Sequence, residues 1–353
     1  MAEPPASVAP GAPAVWTGSE VVVWGGGFVL DGTHQVGGAS YDPGSDTWAE
    51  LPSAPHEAPG GGTAVWTGEE VLFWGGAEIT TNQAGAERPF LGSGVAYDPA
   101  SRTWRSLAES PLAARAYHEA VWTGTEMIVW GGVTQCCPID SVIHDPTAAA
   151  YNPDTDTWRK LTNAPAPWSG GDGYAVSEAF EGDMFVWRNN EFGRYSVSKD
   201  TWRSLGGDVP EAGDPPFSIS THGPVGVGAV VGGTLYLWTG GANAVEGSAR
   251  RLPSGEEQSI ADSPHFTDFV PRLAAAADAI FGVNYDWDMY EPGEGTSVWR
   301  YDIKEDSWER LPNPPAEVGT GATPVWTGEA LVVLPTEFGE DQRRGTGAIW
   351  SKR

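Results

Sequence analysis

The residues best suited to bind a metal or a polar ligand are six histidines and two cysteines. All of them fall in segments that connect predicted strands: His34, His56, His118, His144, His222, His265, Cys136 and Cys137. Imidazole is a common metal ligand and changes charge near neutral pH. Several of these histidines have carboxylates beside them, so the pattern predicts a ring that binds a cation or a polar ligand. The alternative is that polar residues collect in loops for structural reasons.

The two cysteines are adjacent, at Cys136 and Cys137. Neighbouring side chains in an extended segment point apart, so this pair does not make the C-x-x-C arrangement typical of structural zinc. Free thiols, a strained vicinal disulfide, or soft ligands for copper or zinc together with His118 and His144 all stay open. We predict no cofactor, with such a transition metal as the alternative.

The elements that must position these residues form repeats of about 50 residues. The segment AVWTG begins at Ala14, Ala64 and Ala120, and PVWTG begins at Pro324. An apolar run that closes on glycine follows in each repeat, and then a turn and a Thr-Trp strand, as in YDPGSDTW ending at Trp48. Four short strands are therefore predicted per repeat. The apolar run would face neighbouring sheets on both sides, and radial stacking of sheets satisfies that need.

The glycine pair, the Tyr-Asp-Pro turn, and the Thr-Trp strand followed by Leu and Pro, as in TWAELP and SWERLP, resemble the Kelch repeat. The resemblance implies one all-β domain over residues 1–353, a Kelch-type β-propeller. Seven four-stranded blades are predicted, with six as the alternative. The blades span residues 14–51, 64–107, 120–161, 174–205, 227–260, 273–311 and 323–353, with the last closed by an N-terminal strand at 4–9. The unit at 227–260 lacks the Tyr-Asp and Thr-Trp anchors.

In a four-stranded blade, the connection from the second to the third strand and the connection between blades emerge on one face. The long segments of this chain lie on that face, so we predict that it carries the function. The candidate ligand-binding residues predicted on this face are His56, Glu57, Arg115, Tyr117, His118, Glu119, Trp168, Asp172, His222, His265, Asp268, Arg272, Trp287 and Glu317.

Similarity to particular propellers implies two kinds of enzyme. Tyr117 and His118 are similar to the adjacent Tyr and His that bind copper in galactose oxidase, whose central domain is a Kelch propeller. Its second His, axial Tyr and Cys–Tyr crosslink have no residue-by-residue match here. Arg115 and Arg272 lie on the predicted functional face and could bind a carboxylate with two hydrogen bonds. This chemistry resembles that of the sialic acid mutarotases, Kelch-like propellers that act on an acidic sugar, although no catalytic Glu or Arg of that family has an aligned match here. Many Kelch repeats also place an Arg and a His before the first strand for structural hydrogen bonding, which is the competing role for Arg115 and His118.

The chain carries 47 acidic and 20 basic residues, for a net charge of −27. Coulomb repulsion therefore excludes nucleic acids and anionic membranes as main partners. We find no apolar run long enough to span a bilayer, no Ser-His-Asp elbow, no phosphate-binding glycine loop and no metalloprotease helix.

The sequence predicts a monomeric propeller that binds a protein or a carbohydrate. A sugar mutarotase, a lyase or a metal-dependent oxidase is the alternative. Trp-Thr-Gly repeats of this style resemble bacterial exported proteins, which favours the cell envelope or the exterior.

Overall fold

The computed structural model describes most of the chain as antiparallel β-sheet. The described residues are 1–5, 8, 12–25, 27–28, 34–35, 37–56, 60–77, 89–135, 143–165, 168, 176–188, 191–206, 225–241, 244–263, 272–286, 295–312, 322–334 and 347–351. Within these ranges there is no helix, and hence none that could cross a membrane.

The chain divides into two compact units, residues 1–161 with 313–353, and residues 162–312. The first unit contains four of the main sheets and the second contains three. Each main sheet is one blade of a β-propeller. The seven sheets confirm the predicted seven-bladed fold, and the six-bladed alternative is wrong.

The first three sheets belong to the first unit. Sheet 1 comprises β1 (Ala14–Trp16), β2 (Val21–Trp24), β5 (Gly38–Asp42) and β6 (Thr47–Glu50), with a small ribbon of β3 (Gly27–Phe28) and β4 (His34–Gln35). Sheet 2 comprises β7 (Thr63–Trp66), β8 (Val71–Trp74), β9 (Gly94–Asp98) and β10 (Thr103–Ser106). Sheet 3 comprises β11 (Glu119–Trp122), β12 (Met127–Trp130), β15 (Ala148–Asn152) and β16 (Thr157–Leu161), with a ribbon of β13 (Val133–Gln135) and β14 (Ile143–His144).

The second unit holds the next three sheets, and the seventh sheet returns to the first unit. Sheet 4 comprises β17 (Val176–Phe180), β18 (Asp183–Arg188), β19 (Glu191–Ser196) and β20 (Thr201–Gly206). Sheet 5 comprises β21 (Val225–Val231), β22 (Thr234–Gly241), β23 (Ala244–Arg251) and β24 (Glu257–Ser263). Sheet 6 comprises β25 (Arg272–Ala275), β26 (Ala279–Asp286), β27 (Gly295–Asp302) and β28 (Ser307–Arg310). Sheet 7 has three described strands, β29 (Thr323–Trp326), β30 (Ala330–Leu334) and β31 (Ala348–Ser351).

The core lies between neighbouring sheets of the same unit. Second strands such as Val71–Trp74 and Met127–Trp130 are buried along their length. Leu72 and Trp74 of sheet 2 pack with Val129 and Tyr151 of sheet 3 in one cluster. In sheet 2 the second strand has apolar residues on both faces, because one face packs against sheet 1 and the other against sheet 3.

A hydrogen-bonded Tyr–Asp pair recurs at the turn before the fourth strand. The hydroxyl of Tyr151 donates to Asp156 Oδ1 at 2.6 Å, and Asp156 Oδ1 also accepts the backbone N–H of Ala108 at 2.9 Å. The hydrogen bond from Tyr151 is the main cause that lowers the pKa of Asp156. Tyr301 and Asp306 repeat this pair at 2.6 Å. The aspartate thus ties its own sheet to the chain that leaves the preceding one.

The turn position of this aspartate lies in the left-handed region of φ. It is occupied by Asp46, Arg102, Asp156, Asp200, Gly255 and Asp306, with φ between +47° and +79°. Aspartate and glycine accept this conformation more readily than most residues. Arginine in sheet 2 is the exception to the pattern.

The first residues of the chain make the corresponding hydrogen bonds to the turn of sheet 1. The N–H of Ala2 donates to Asp46 Oδ1 at 2.6 Å, and the indole of Trp48 donates to the carbonyl of Ala2 at 3.0 Å. Trp158 donates in the same way to the carbonyl of Ala108, at 3.0 Å. Ala2 is therefore the counterpart of Ala108, the residue after an outer strand and its closing leucine.

The predicted N-terminal strand at residues 4–9 is only partly described. Val8 packs in the same core cluster as Val332 and Ile349 of sheet 7. Its N–H donates to the carbonyl of Pro5 at 3.1 Å. Val8 therefore lies in the core that sheets 1 and 7 share, and the pairing of residues 4–9 as a strand stays a prediction.

Sheet 5 has an ion pair where sheet 3 has a tyrosine of its third strand opposite a tryptophan of its fourth. Tyr151 lies opposite Trp158 in sheet 3, and at the same register of sheet 5 Arg250 lies opposite Glu257. Arg250 is buried, and its guanidinium pairs with Glu257 at 2.8 Å. The weak repeat at 227–260 thus keeps the fold with an ion pair in place of two aromatic rings.

Candidate functional site

The segment Arg115–His118, in the connection from β10 to β11, is the part of the predicted site that the structure describes most fully. Its backbone is fixed by contacts with distant segments of the first unit. The N–H and carbonyl of Ala116 both pair with Val133, at 3.1 and 2.9 Å. The N–H of Tyr117 donates to the carbonyl of Gly61 at 2.9 Å. The segment is therefore held from both sides.

Arg115 is fully buried and acts as a structural residue. Its guanidinium donates to the carbonyl of Gly131 at 2.7 Å, to Thr147 Oγ1 at 2.8 Å and to the carbonyl of Ala113 at 3.0 Å. The carboxylate of Asp145 lies 3.3 Å from Nη2 and balances the charge. Burial lowers the pKa of Arg115, and Asp145 opposes that effect. No part of this side chain faces solvent, so Arg115 is not available to an incoming carboxylate.

His118 is buried beside Arg115. Its Nε2 lies 2.8 Å from Thr63 Oγ1, and its ring meets the edge of Trp74 with centroids 5.0 Å apart. A Cβ at Gly75 would lie 2.6 Å from His118 Cε1, and one at Gly132 would lie 2.7 Å from His118 Cβ. Burial, with a smaller effect of Arg115, lowers the pKa of His118 to about 3. The imidazole is therefore neutral at physiological pH, with the backbone of Gly75 close to its ring and that of Gly132 close to its Cβ.

Tyr117, between these two buried residues, is exposed. Its side chain has 66% of its surface accessible, and it is the one large hydrophobic side chain found exposed among the described residues. Its φ of +55° is in the left-handed region, where a residue with a Cβ is strained. The ring lies over Gly61, where an added Cβ would be 3.1 Å from Tyr117 Cε1. The fold thus holds an aromatic ring at the surface in a conformation that costs free energy.

Three further predicted residues are described in the first unit or at the start of sheet 6. His56 is half-buried, with its ring 6.0 Å from that of Trp24. Glu119 is half-buried at the first position of β11, and Arg272 is exposed at the first position of β25. His56 and Glu119 share the first unit with Tyr117, and Arg272 belongs to the second.

Trp168, one of the predicted ligand-binding residues, is buried. Only 3% of its surface is accessible. Its ring stacks on Trp202 with centroids 5.6 Å apart, and its indole donates to the carbonyl of Glu191 at 3.2 Å. The absence of a side chain at Gly193 makes the room, because a Cβ there would lie 2.6 Å from the indole. Trp168 therefore packs on sheet 4.

The remaining candidates lie outside the described residues. They are Glu57, Asp172, His222, His265, Asp268, Trp287, Glu317, Cys136 and Cys137. His144 is described only as part of β14, without its side chain. Their roles in binding stay predictions.

The adjacent Tyr117 and His118 do not fit a copper site. One ring is exposed over Gly61, and the other is buried with Nε2 hydrogen-bonded to Thr63, so the two side chains do not converge on one point. Within the described ranges, no three His, Cys, Asp or Glu side chains come together in a group that could hold a metal ion. A galactose-oxidase-like use of this pair is not supported by its geometry.

Sequence reasoning missed the residues that hold the segment in place. Thr63, Asp145 and Thr147 supply the partners of His118 and Arg115. Asp145-Pro-Thr147 is a local signal, because the Asp145 carboxylate accepts the N–H of Thr147 at 2.8 Å in an Asx-type turn. Thr63 carries no such signal, since it lies in the preceding repeat.

Comparison with known proteins gives a likeness in fold. No protein-family model matches the sequence, and no curated protein matches it. One similar solved structure is a fungal alcohol oxidase of the AA5 family in complex with copper, with a TM-score of 0.65, 12% identity, and coverage of 98% of this chain and 74% of that chain. Another is YjhT, with a TM-score of 0.54, 12% identity, and coverage of 99% of this chain and 96% of that chain. At this identity the likeness shows the β-propeller fold alone.

Proposed function

We propose that this protein is a binding β-propeller and that Tyr117 is the contact point for its partner, a carbohydrate or a protein. The observation that carries the proposal is a strained residue that is also exposed. A left-handed φ of +55° costs free energy, and burial of the ring does not repay it, since 66% of the side chain is accessible. Strain of this kind concentrates at functional sites.

The fixed backbone around Tyr117 supports the same function. Arg115 and His118 are buried on either side of it and bonded to Thr147 and Thr63. The N–H of Tyr117 is bonded to Gly61. Binding to this ring costs little conformational entropy, because the backbone of Tyr117 is already fixed. Preorganised aromatic residues of this kind are favoured as anchors in binding surfaces.

The chemistry of the ring suits two partner classes. Phenol rings stack on the apolar face of sugars and on apolar side chains of proteins, and the hydroxyl adds a hydrogen-bonding group. The net charge of −27 makes polyanionic partners unfavourable. His56 and Glu119 are further candidates for this surface. The enzymatic alternatives gain no support from Arg115 or His118, both of which are buried.

The proposal is tested by placing a photo-crosslinking phenylalanine analogue at position 117 and recovering the covalently captured partner. In parallel, the wild-type protein is applied to a glycan array. We expect a partner from one of the two experiments and a loss of at least tenfold in its affinity for Tyr117→Ser. The control is Ser204→Ala on the exposed surface of β20. A partner whose affinity is unchanged by Tyr117→Ser would disprove the role of this residue.

Metal content separates binding from oxidase chemistry. Elemental analysis of the purified protein is expected to give much less than one copper per chain. One bound copper per chain together with oxidase activity would overturn the proposal.

A further inference from the structure

A cavity of about 230 Å³ lies in the second unit, between sheets 5 and 6. It is at the end of the sheets that carries the short turns, whereas the proposed contact residue Tyr117 lies in a connection between sheets of the first unit. Its lining includes Thr234, Tyr236, Arg251, Gln258, Tyr301 and Asp306. The proposed function makes no use of this cavity.

The repeat shows what fills the equivalent position elsewhere in the same molecule. In sheet 2, Trp104 lies opposite Tyr97, and Arg105 is the next residue. In sheet 5, Glu257 lies opposite Arg250, and Gln258 is the next residue. By register, Gln258 therefore corresponds to Arg105.

The other walls of the cavity correspond in the same way. Glu70 directly precedes β8, whose first residue lies opposite Tyr97, and Thr234 precedes the residue opposite Arg250. Thr234 therefore corresponds to Glu70. Tyr301 and Asp306 correspond to Tyr151 and Asp156 of sheet 3. The same four positions thus meet at both junctions.

Arg105 fills the junction between sheets 2 and 3. Its Nε and Nη2 donate to the carboxylate of Glu70 at 2.9 and 2.5 Å. Its Nη1 donates to the hydroxyl of Tyr151 at 2.9 Å and lies 3.7 Å from Asp156 Oδ1. A guanidinium group is thus the native occupant of this crevice, held by a tyrosine and two carboxylates.

The junction between sheets 5 and 6 keeps two of these acceptors, Tyr301 and Asp306, and loses the third, because Thr234 stands in the place of Glu70. The hydroxyl of Tyr301 donates to Asp306 Oδ1 at 2.6 Å, which is the distance found for Tyr151 and Asp156. Thr234 and Gln258 are shorter than the glutamate and arginine that they replace, and they leave the space open. The place of the guanidinium is therefore vacant while a phenol oxygen and a carboxylate still line it.

The charges and rings around the cavity favour a cation. Glu256, Glu257 and Asp306 line it together with one cation, Arg251. Glu257 is paired with Arg250 at 2.8 Å, so the remaining lining charges are the carboxylates of Glu256 and Asp306 against Arg251, an acidic excess of one. Tyr236 lies beside Tyr301 with ring centroids 6.0 Å apart, and a planar cation can stack on such a ring.

We propose that this cavity binds a guanidinium group, supplied either by a small molecule or by an arginine side chain of a partner. The group would donate to Tyr301 and Asp306 as Arg105 donates to Tyr151 and approaches Asp156. This site is independent of Tyr117. A planar, forked guanidinium can donate to the phenol oxygen and to the carboxylate at the same time, which a lysine ammonium does not reproduce.

The test is a titration of the protein with argininamide, with calorimetry and NMR of the ligand as the two readouts. Citrullinamide, which has the same shape without the charge, is the ligand control. The variant Thr234→Glu/Gln258→Arg rebuilds the Glu70–Arg105 pair and fills the cavity. We expect saturable binding of argininamide to wild type, at least tenfold weaker binding of citrullinamide, and at least a tenfold loss in the filled variant.

A charge-matched control places the same two residues on exposed positions of β20, as Thr201→Glu/Ser204→Arg, and should bind as wild type does. If the filled variant fails to fold, Gln258→Arg alone serves in its place. Equal binding of both ligands, no saturable binding, or unchanged binding to the filled variant would overturn the proposal. A blocked Gly-Arg-Gly peptide that binds at least tenfold more tightly than argininamide would identify the source as a partner arginine, and equal affinity would identify a small molecule.

Discussion

Arg102 donates a hydrogen bond of 2.6 Å to the carbonyl of Glu50, at a turn where four other sheets have an aspartate. The chain segment that it faces also differs, because Pro52 lies where Ala108 supplies an N–H to Asp156. Proline has no N–H to donate, so an acceptor at position 102 would lack this donor. The exchange leaves Tyr97 without its usual acceptor, and within the described residues its buried hydroxyl has no hydrogen-bond partner.

We predict that Pro52→Ala/Arg102→Asp stabilises the first unit. Aspartate would accept the hydroxyl of Tyr97 and the new N–H at position 52, and it also tolerates the φ of +55° at position 102. Giving the buried Tyr97 hydroxyl a partner should gain about 1–3 kcal/mol. Loss of the Arg102–Glu50 hydrogen bond and of the conformational restriction by Pro52 reduces this gain. We expect a net gain of about 1 kcal/mol in the free energy of unfolding.

Urea denaturation of both single variants and the double variant measures this gain. Pro52→Ala alone should give no increase, since Arg102 offers no acceptor. The reverse change in sheet 3, Asp156→Arg, should destabilise, because Tyr151 and Ala108 lose their shared acceptor. A double variant no more stable than wild type would contradict the explanation.

Replacement of Arg115 by lysine should destabilise the protein strongly. One ammonium cannot reproduce the fork that reaches Gly131, Thr147 and Ala113, and Asp145 would lose part of its compensation. Breaking a buried charge pair typically costs about 3–5 kcal/mol, and lysine should recover part of that. Arg159→Lys is the matched control, because Arg159 pairs with Glu126 on the surface with 41% of its side chain accessible. Equal denaturation midpoints for the two variants would contradict the structural role of Arg115.

His118 should make stability depend on pH. Its pKa falls to about 3 in the folded protein, against an ordinary value of about 6.5 in the unfolded chain. The unfolded state therefore binds more protons between these values, so the free energy of unfolding is highest above pH 6.5 and falls as pH decreases towards 3. From pH 7 to pH 5 the loss from this group is about 2 kcal/mol.

Comparison of wild type with His118→Gln at pH 7 and pH 5 measures this contribution. The glutamine variant should lose about 2 kcal/mol less over the interval. Thr63→Val is the control, because it removes the partner of Nε2 but leaves the imidazole buried. It should lower stability and keep the pH dependence. The same pH dependence in His118→Gln and wild type would show that another group is responsible.

Replacement of Tyr117 by asparagine should raise the stability of the protein and weaken its binding. Asparagine adopts a left-handed φ more readily than tyrosine, so Tyr117→Asn should raise the free energy of unfolding by about 0.5–1 kcal/mol. The same variant should lose at least tenfold in partner affinity, whereas Tyr117→Phe keeps the ring and should keep most of both properties. Thermal unfolding and a binding titration on the same samples provide the two measurements. A less stable asparagine variant would mean that the ring contributes to folding.

The repeat pattern was sufficient to predict the sheets, because each strand carries its own local signal. The Thr-Gly turns after Trp16 and Trp66 and the buried second strands appear in the structure where the motifs stand in the sequence. Sheet 5 was the weak prediction, and Arg250 with Glu257 explains it. An ion pair across two strands keeps the register without the aromatic residues by which the repeat is recognised.

The site was less predictable because exposure depends on contacts that are distant in sequence. Tyr117 and His118 are neighbours in the chain, yet one ring is exposed and the other is buried. The difference comes from Gly61 and Thr63, which lie in the preceding repeat. The burial of Trp168 was missed for the same reason, since only the position of Gly193 beside its ring reveals that it is packed.

The contact between Ala2 and Trp48 makes Trp48 a reporter on the first residues of the chain. Because the indole of Trp48 donates to the carbonyl of Ala2, release of the first residues would break this hydrogen bond and change the polarity around that indole. A fluorine label on that indole should therefore distinguish loosening of the chain's beginning from unfolding of the sheets. Stability at this edge can then be followed separately from that of the whole molecule.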